Sequence, residues 1–249
     1  MSNGPNQTDE RGSQVEHALL GLRSLVLGGA FEANGRISEV ATAERLGVSR
    51  TPLRQAMDRM VGEGLLIRNE TGGVRVASFT VADIVDAIEL RGVIEGAASR
   101  LAAERGAETS ALEAVEQIIS GIDHALERPR GMDFDTYVAL NARFHSQIAA
   151  LSGSAIMQRE VERVYQLPFA SPSSFLQEQE MIPDFRQSLL VAQSHHRAIL
   201  DAIRNREGAR AEALSREHAR LARLNLEHVM RGDPAWIDRF PGLALVSTG

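Results

Sequence analysis

A change of texture near Ser78 limits the folds open to this chain more than any other feature. Beyond it turn residues thin out, apolar side chains recur at helical spacing, and no stretch shows the two-residue alternation of a half-buried strand. Thr80 with Asp83 three residues on resembles a capping box, opening a helix that runs through Glu104 and stops at Gly106. The same periodicity predicts helices over Ser110–Glu127, Asp135–Leu151, Ala155–Gln166, Asp184–Asn205 and Ala209–Val229, with a Ser/Pro-rich break at Ser171-Pro172-Ser173-Ser174. Residues 79–231 are therefore expected to form an all-helical bundle of about six helices, and residues 232–249 a loose tail.

The first third is built differently. Residues 1–12 are polar and read as a disordered arm. From Gln14 to Leu27 the residues Val15, Leu19, Leu22, Leu25 and Val26 fall on one helical face, and Gly28-Gly29 ends the run. Glu39–Leu46 makes a short second helix broken by Gly47; Ser49 stands where it can cap a third, which carries Pro52 in its first turn and runs to about Gly62. Two β-prone stretches, Leu65–Arg68 and Val74–Val76, flank Thr71-Gly72-Gly73, a hairpin signal. Helix, helix, turn, helix and hairpin in this order predict a winged helix-turn-helix over residues 13–78. The expected fold class is mainly α, with a small β-hairpin wing in the first domain.

Composition removes several function classes. The 249 residues contain no cysteine, which excludes disulfides, Cys-based zinc sites and thiol catalysis, and fits a cytoplasmic setting. No apolar run is long enough to span a membrane, and Met1 to Arg11 has no apolar core of a signal peptide. Aromatic residues are only 4%, too few for base-stacking platforms on single-stranded nucleic acid. All 27 basic residues are Arg, and they are unevenly matched: nine Arg face nine acids in residues 1–78, against 18 Arg and 24 acids in residues 79–249. A neutral, locally basic reader attached to an acidic body satisfies that asymmetry despite a net charge of -6.

The third helix carries the first functional constellation. Arg50 and Arg54 are i and i+4, on one face near its N-terminus, while Leu53, Met57 and Met60 turn towards a core. A recognition helix needs that division, because guanidinium groups entering the major groove can pair bidentately with guanine. Ser49 and Thr51 can bond phosphates.

The second constellation lies in the bundle. Asn141 and His145 are i and i+4, and His196 and His218 fall on two later helices that a short turn containing Gly208 makes antiparallel. Four such groups converging would form a three-His site with one oxygen donor, suited to Zn²⁺ or Ni²⁺. Arg91 can serve as counter-ion to an acidic effector or pair with Glu95 one turn on. Asn225, seven residues after His218, can hydrogen-bond a ligand. His195 and His228 fall off these faces and are expected at the surface. An enzyme using such a metal would need a general base; no carboxylate stands out beside the histidines, since Glu217 points about 100° away from His218. A regulator that senses the metal alone is a further reading.

Residues 14–78 resemble the GntR-family winged helix, on Gly35-x-x-Ser38-Glu39, Leu46-Gly47-Val48-Ser49-Arg50-Thr51-Pro52-x-Arg54-x-Ala56 and Glu63-Gly64-Leu65. Thr42 and Gln55 depart from the pattern, where an aliphatic residue and an acid are usual. The resemblance implies that Arg36, Arg50, Thr51 and Arg54 contact operator DNA, with the wing at Gly72-Gly73 near the minor groove, and that the chain acts as a homodimer. Residues 80–230 resemble the helical FCD domain of the FadR branch, on Arg91-x-x-x-Glu95-x-x-Ala98, Asn141-x-x-Phe144-His145, His196-x-x-Ile199-x-x-Ala202-Ile203 and His218. Metal-binding members usually carry Asp where this chain has Asn141. Asn141, the stretch from Asp86 to Gly96 and Pro168-Phe169-Ala170 are similar to the vanillate-responsive repressors of that branch, which implies a small aromatic carboxylic acid as effector.

Overall fold

The computed structural model describes residues 7–70, 72–127, 131–172, 185–231 and 245–247. They divide into two compact units, one taking in the described residues up to Val81 together with 245–247, the other those from Ala82 to Arg231.

The first unit opens with α1 (Gln7–Leu27). It starts seven residues before Gln14 and so takes in half of the stretch expected to be a disordered arm. Residues 7–13 hold no large apolar side chain, so hydrophobic periodicity is blind to helix there. α2 (Glu39–Leu46) is delimited by its caps: Ser38 Oγ accepts from Ala41 N at 3.4 Å, and Gly47 adopts φ 65°, donating to Ala43 O and Glu44 O. α3 (Arg50–Gly62) follows after three residues. Leu22, Val26, Leu53, Met57 and Met60 are buried and join α1 to α3.

β1 (Leu66–Arg68) and β2 (Val74–Val76) form the antiparallel hairpin, with Leu66 opposite Val76 and Arg68 opposite Val74. Gly72 and Gly73 have φ of 80° and 89°, the left-handed region that a tight turn needs and that side chains resist. Residues 34–37 run beside β2, with Arg36 bridged to Arg75. β3 (Phe79–Thr80) pairs in parallel with β4 (Val246–Ser247), so the C-terminal segment is not wholly a loose tail. A two-residue strand has no alternation to read, and its partner is far along the chain, so the sequence pattern does not reveal it.

The second unit is helical among the described residues: α4 (Val81–Arg105), α5 (Thr109–Leu126), α6 (Phe134–Leu151), α7 (Ala155–Tyr165), α8 (Phe185–Arg204) and α9 (Gly208–Arg231). Each begins and ends within about two residues of its expected bounds, the usual scatter of helix ends. Ser173 and Ser174 of the expected break lie outside the described residues. α5 packs on α6 and α8, and α8 on α9, around Val115, Ile118, Ile122, Tyr137, Phe144, Ile148, Ile199 and Ile203.

Gly92 and Gly96 let α4 approach α9 closely. A Cβ on Gly92 would stand 3.0 Å from Ala219 Cβ, and one on Gly96 3.1 Å from Glu212 O. Gly96→Leu is expected to destabilise the chain by about 1–3 kcal/mol through overpacking, read as a lower midpoint in urea at unchanged slope. An unchanged midpoint would show that the helices have room to separate.

Candidate functional site

The proposed DNA-facing residues all belong to the first unit. Arg36, Ser49, Arg50, Thr51, Arg54, Gly72 and Gly73 are all exposed, on α3, the wing and the segment beside it. Ser49 occupies the position before α3 but makes no capping hydrogen bond, contrary to the expected capping role; its ψ of 162° is extended and its hydroxyl does not bond the helix amides. Sequence reasoning missed Glu39. Its Oε2 accepts from Arg54 Nε at 2.7 Å and from Arg50 Nη2 at 3.2 Å, and the Arg54 hydrogen bond holds its carboxyl below the usual range.

In the second unit three buried imidazoles meet. α6 supplies His145, α8 His196 and α9 His218, with His218 Nε2 at 3.3 Å from His196 Nε2 and 3.3 Å from His145 Nε2. The outer partners decide the tautomers. Gln193 Nε2 donates to Ile119 O at 2.8 Å and Asp123 Oδ1 at 2.7 Å, which turns Gln193 Oε1 to accept from His196 Nδ1 at 2.9 Å. Glu95 Oε1 accepts from His145 Nδ1 at 2.9 Å. With both Nδ1 atoms donating to outer partners, the Nε2 atoms of His145 and His196 are the ring nitrogens left facing His218 Nε2. A proton on His218 Nε2 can satisfy only one of them.

Burial, reinforced by the neighbouring imidazoles, pushes the His196 and His218 rings well below their ordinary pKa and so keeps them neutral. The three donor atoms lie within 4.8 Å of one another. The two 3.3 Å separations match the about 3.3–3.4 Å edge of a tetrahedron whose nitrogens are about 2.0–2.1 Å from Zn²⁺. This donor set fits a divalent ion.

Glu95 corrects the expectation that no carboxylate accompanies the histidines. It lies on α4, where its proximity to His145 leaves no local sequence signal. Burial works against its ionisation, but His145, Arg91 and the Tyr165 hydroxyl, which donates to Oε1, together lower its pKa to about 2. It grips the ring opposite Nε2 and therefore orients a ligand rather than facing the centre. Arg91 is buried, stands 3.7 Å from Glu95 Oε2 through Nε, and donates to Ala170 O at 3.1 Å and Ala219 O at 3.3 Å.

A cleft adjoins the centre, lined by Arg91, Tyr137, Asn141, Ser188, His218 and Asn225 among others. Asn141 donates through Nδ2 to Pro172 O at 3.2 Å, and Asn225 Oδ1 accepts from Ser188 Oγ at 2.9 Å. His195 is half-buried rather than on the surface, its ring centroid 5.9 Å from that of His218. The side chain of His228 lies outside the described residues.

Comparison with known proteins decides the family. The FCD domain model matches residues 86–221, more than half of the chain, and the model of bacterial regulatory proteins of the gntR family matches residues 14–76. The chain belongs to the GntR family and carries an FCD domain. An HTH-type transcriptional regulator of Bacillus subtilis, YdhC, is 25% identical over 78% of this chain and 83% of its own length. The HTH-type transcriptional repressor GlaR of Escherichia coli is 23% identical over 79% of the chain and 88% of its own. The solved structure of Escherichia coli McbR/YncC shares the fold, with a TM-score of 0.61 at 19% identity, covering 86% of this chain and 96% of that one. The families and relatives of this GntR-family chain are transcription regulators, not enzymes. No helix among its described residues is long and apolar enough to cross a membrane.

Proposed function

We propose that this GntR-family chain is a repressor that binds operator DNA as a homodimer through α3 and the wing, and whose grip changes when a small carboxylic acid enters the cleft beside His218. The observation that carries the sensing half is the trio of buried, convergent Nε2 atoms next to a cleft lined by a guanidinium and two amides. His145, His196 and His218 would hold Zn²⁺ or Ni²⁺, with Asn141 one turn before His145 as the oxygen donor expected from the sequence. Such an ion supplies a Lewis-acid centre with positions open to a carboxylate oxygen.

The remaining chemistry belongs to the chain. Three imidazoles and a neutral amide bring no negative charge, so the donor set favours an anionic guest. Arg91 spends hydrogen bonds on two carbonyls and pairs with Glu95, so it adds positive potential at the cleft wall more than a free fork for the acid. Asn225 and Asn141 offer amide groups to orient the guest. An aromatic acid is the class favoured by the likeness to vanillate-responsive regulators. Repression is supported by the relative GlaR, a repressor.

Equilibrium dialysis of the metal-stripped full chain against Zn²⁺ or Ni²⁺ tests the centre. One ion per chain is expected, and Asn141→Asp is expected to bind it about tenfold more tightly, because a carboxylate outdoes an amide oxygen as donor. No uptake at micromolar ion by either protein would contradict the assignment.

A further inference from the structure

We propose that Glu39 is a specificity-determining residue of the DNA interface, holding Arg50 and Arg54 in one presentation and keeping them from binding phosphate indiscriminately. The inference rests on the reading that α3 enters the major groove. One carboxylate oxygen, Glu39 Oε2, takes a hydrogen bond from Arg54 Nε at 2.7 Å and from Arg50 Nη2 at 3.2 Å. A place in the first turn of α2 suits an acid through the helix dipole, but does not explain why it reaches across to α3.

Stability does not explain the bridge either. Both Arg side chains are 57% exposed and Glu39 28%, and ion pairs in such surroundings contribute little to folding. The geometry has a chemical consequence instead. With Nε of Arg54 occupied, the edge left for recognition is the terminal one, where the two amino groups point forward as a pair, the arrangement that meets O6 and N7 of guanine. Holding Arg50 to the same oxygen couples the two forks, so they approach neighbouring base edges as a unit.

The charge acts in the same direction. Glu39 reduces the local charge of the cluster from +2 to +1, which weakens attraction to any phosphate irrespective of sequence. Base pairing through the terminal edge of Arg54 keeps the Glu39 contact, whereas swinging that side chain to a phosphate would break it. Glu39 therefore lowers binding to random DNA more than binding to the preferred site.

The test uses the full chain and two duplexes: one enriched by the wild-type protein from a random library, and a scrambled duplex of the same length and composition. E39Q and E39A are expected to bind the scrambled duplex more tightly, with a salt slope steeper by about 0.9 for the charge removed. Their preference for the selected duplex should fall about tenfold, with an unaltered melting temperature. Wild-type preference and wild-type affinity for scrambled DNA would overturn the proposal. So would equal losses on both duplexes with a lowered melting temperature, which marks a purely structural residue. Arg54→Ala is the separate arm: if it keeps the wild-type preference, α3 is not the reading helix and the premise itself fails.

Discussion

His218→Ala is expected to lower the affinity of the full chain for Zn²⁺ or Ni²⁺ by more than roughly 100-fold, the upper end of what losing an outer-shell partner costs. His218 is the hinge of the trio, since its Nε2 is the atom at 3.3 Å from both of the others. Its removal leaves His145 and His196 on separate helices with only two donors. The ring is buried, so the substitution also leaves a cavity, and a thermal melt must show that the variant folds. Competition against a chromophoric chelator reads the affinity. Near-wild-type affinity in a folded variant would show that the histidines form a hydrogen-bonded core cluster instead of a metal centre. The DNA affinity of the same variant is expected to stay close to wild type, because His218 belongs to the second unit and the proposed DNA residues to the first.

The second large effect is at α3. Arg50→Ala and Arg54→Ala are each expected to lose about 1–3 kcal/mol of binding to the selected duplex, a fall of roughly 5- to 150-fold, because a bidentate pair with a base edge is worth that much in discrimination. Each variant should also lose some affinity for scrambled DNA, with a salt slope shallower by about 0.9 per charge. Both side chains are exposed and their one shared partner is Glu39, so the fold should survive. Anisotropy titrations at fixed salt measure this. Unchanged affinity in both variants would remove α3 from the interface.

The sequence announces structure where a boundary has a chemical marker. α2 is delimited as expected at Glu39–Leu46 because Ser38 caps one end and Gly47 takes the left-handed turn at the other without a side-chain clash. The wing follows from Gly72-Gly73, and the six helices of the second unit from unbroken periodicity. The three histidines were legible because each sits on the buried stripe of its helix, close to Phe144, Ile199 or Ala219, where a lone imidazole needs a partner. Non-local polar contacts were not legible. Glu95 had a plausible partner in Arg91 one turn along its own helix, and nothing local revealed that His145 reaches it from α6. Glu39 looked like an ordinary first-turn acid, yet its contacts lie on another helix. The start of α1 and the β3–β4 pair escaped for a simpler reason, since polar residues and two-residue strands carry no periodic signal.

The two constellations are proposed to act separately, residues before Ser78 gripping DNA and the centre around His218 setting how tightly when an acid is present. An acid can alter the grip only if it binds the DNA-competent and DNA-incompetent forms with different affinity, and coupling of this kind is typically about 1–3 kcal/mol. The decisive measurement is fluorescence anisotropy of the selected duplex, titrated with a panel of aromatic and aliphatic carboxylic acids, for wild type, His218→Ala and Arg54→Ala. The account predicts that one acid shifts wild-type DNA affinity by roughly 5- to 150-fold. It further predicts that His218→Ala binds the duplex but ignores the acid, and that Arg54→Ala still binds the acid by calorimetry while failing on the duplex. Normal acid-triggered release by His218→Ala would contradict it, placing the effector site away from the histidines.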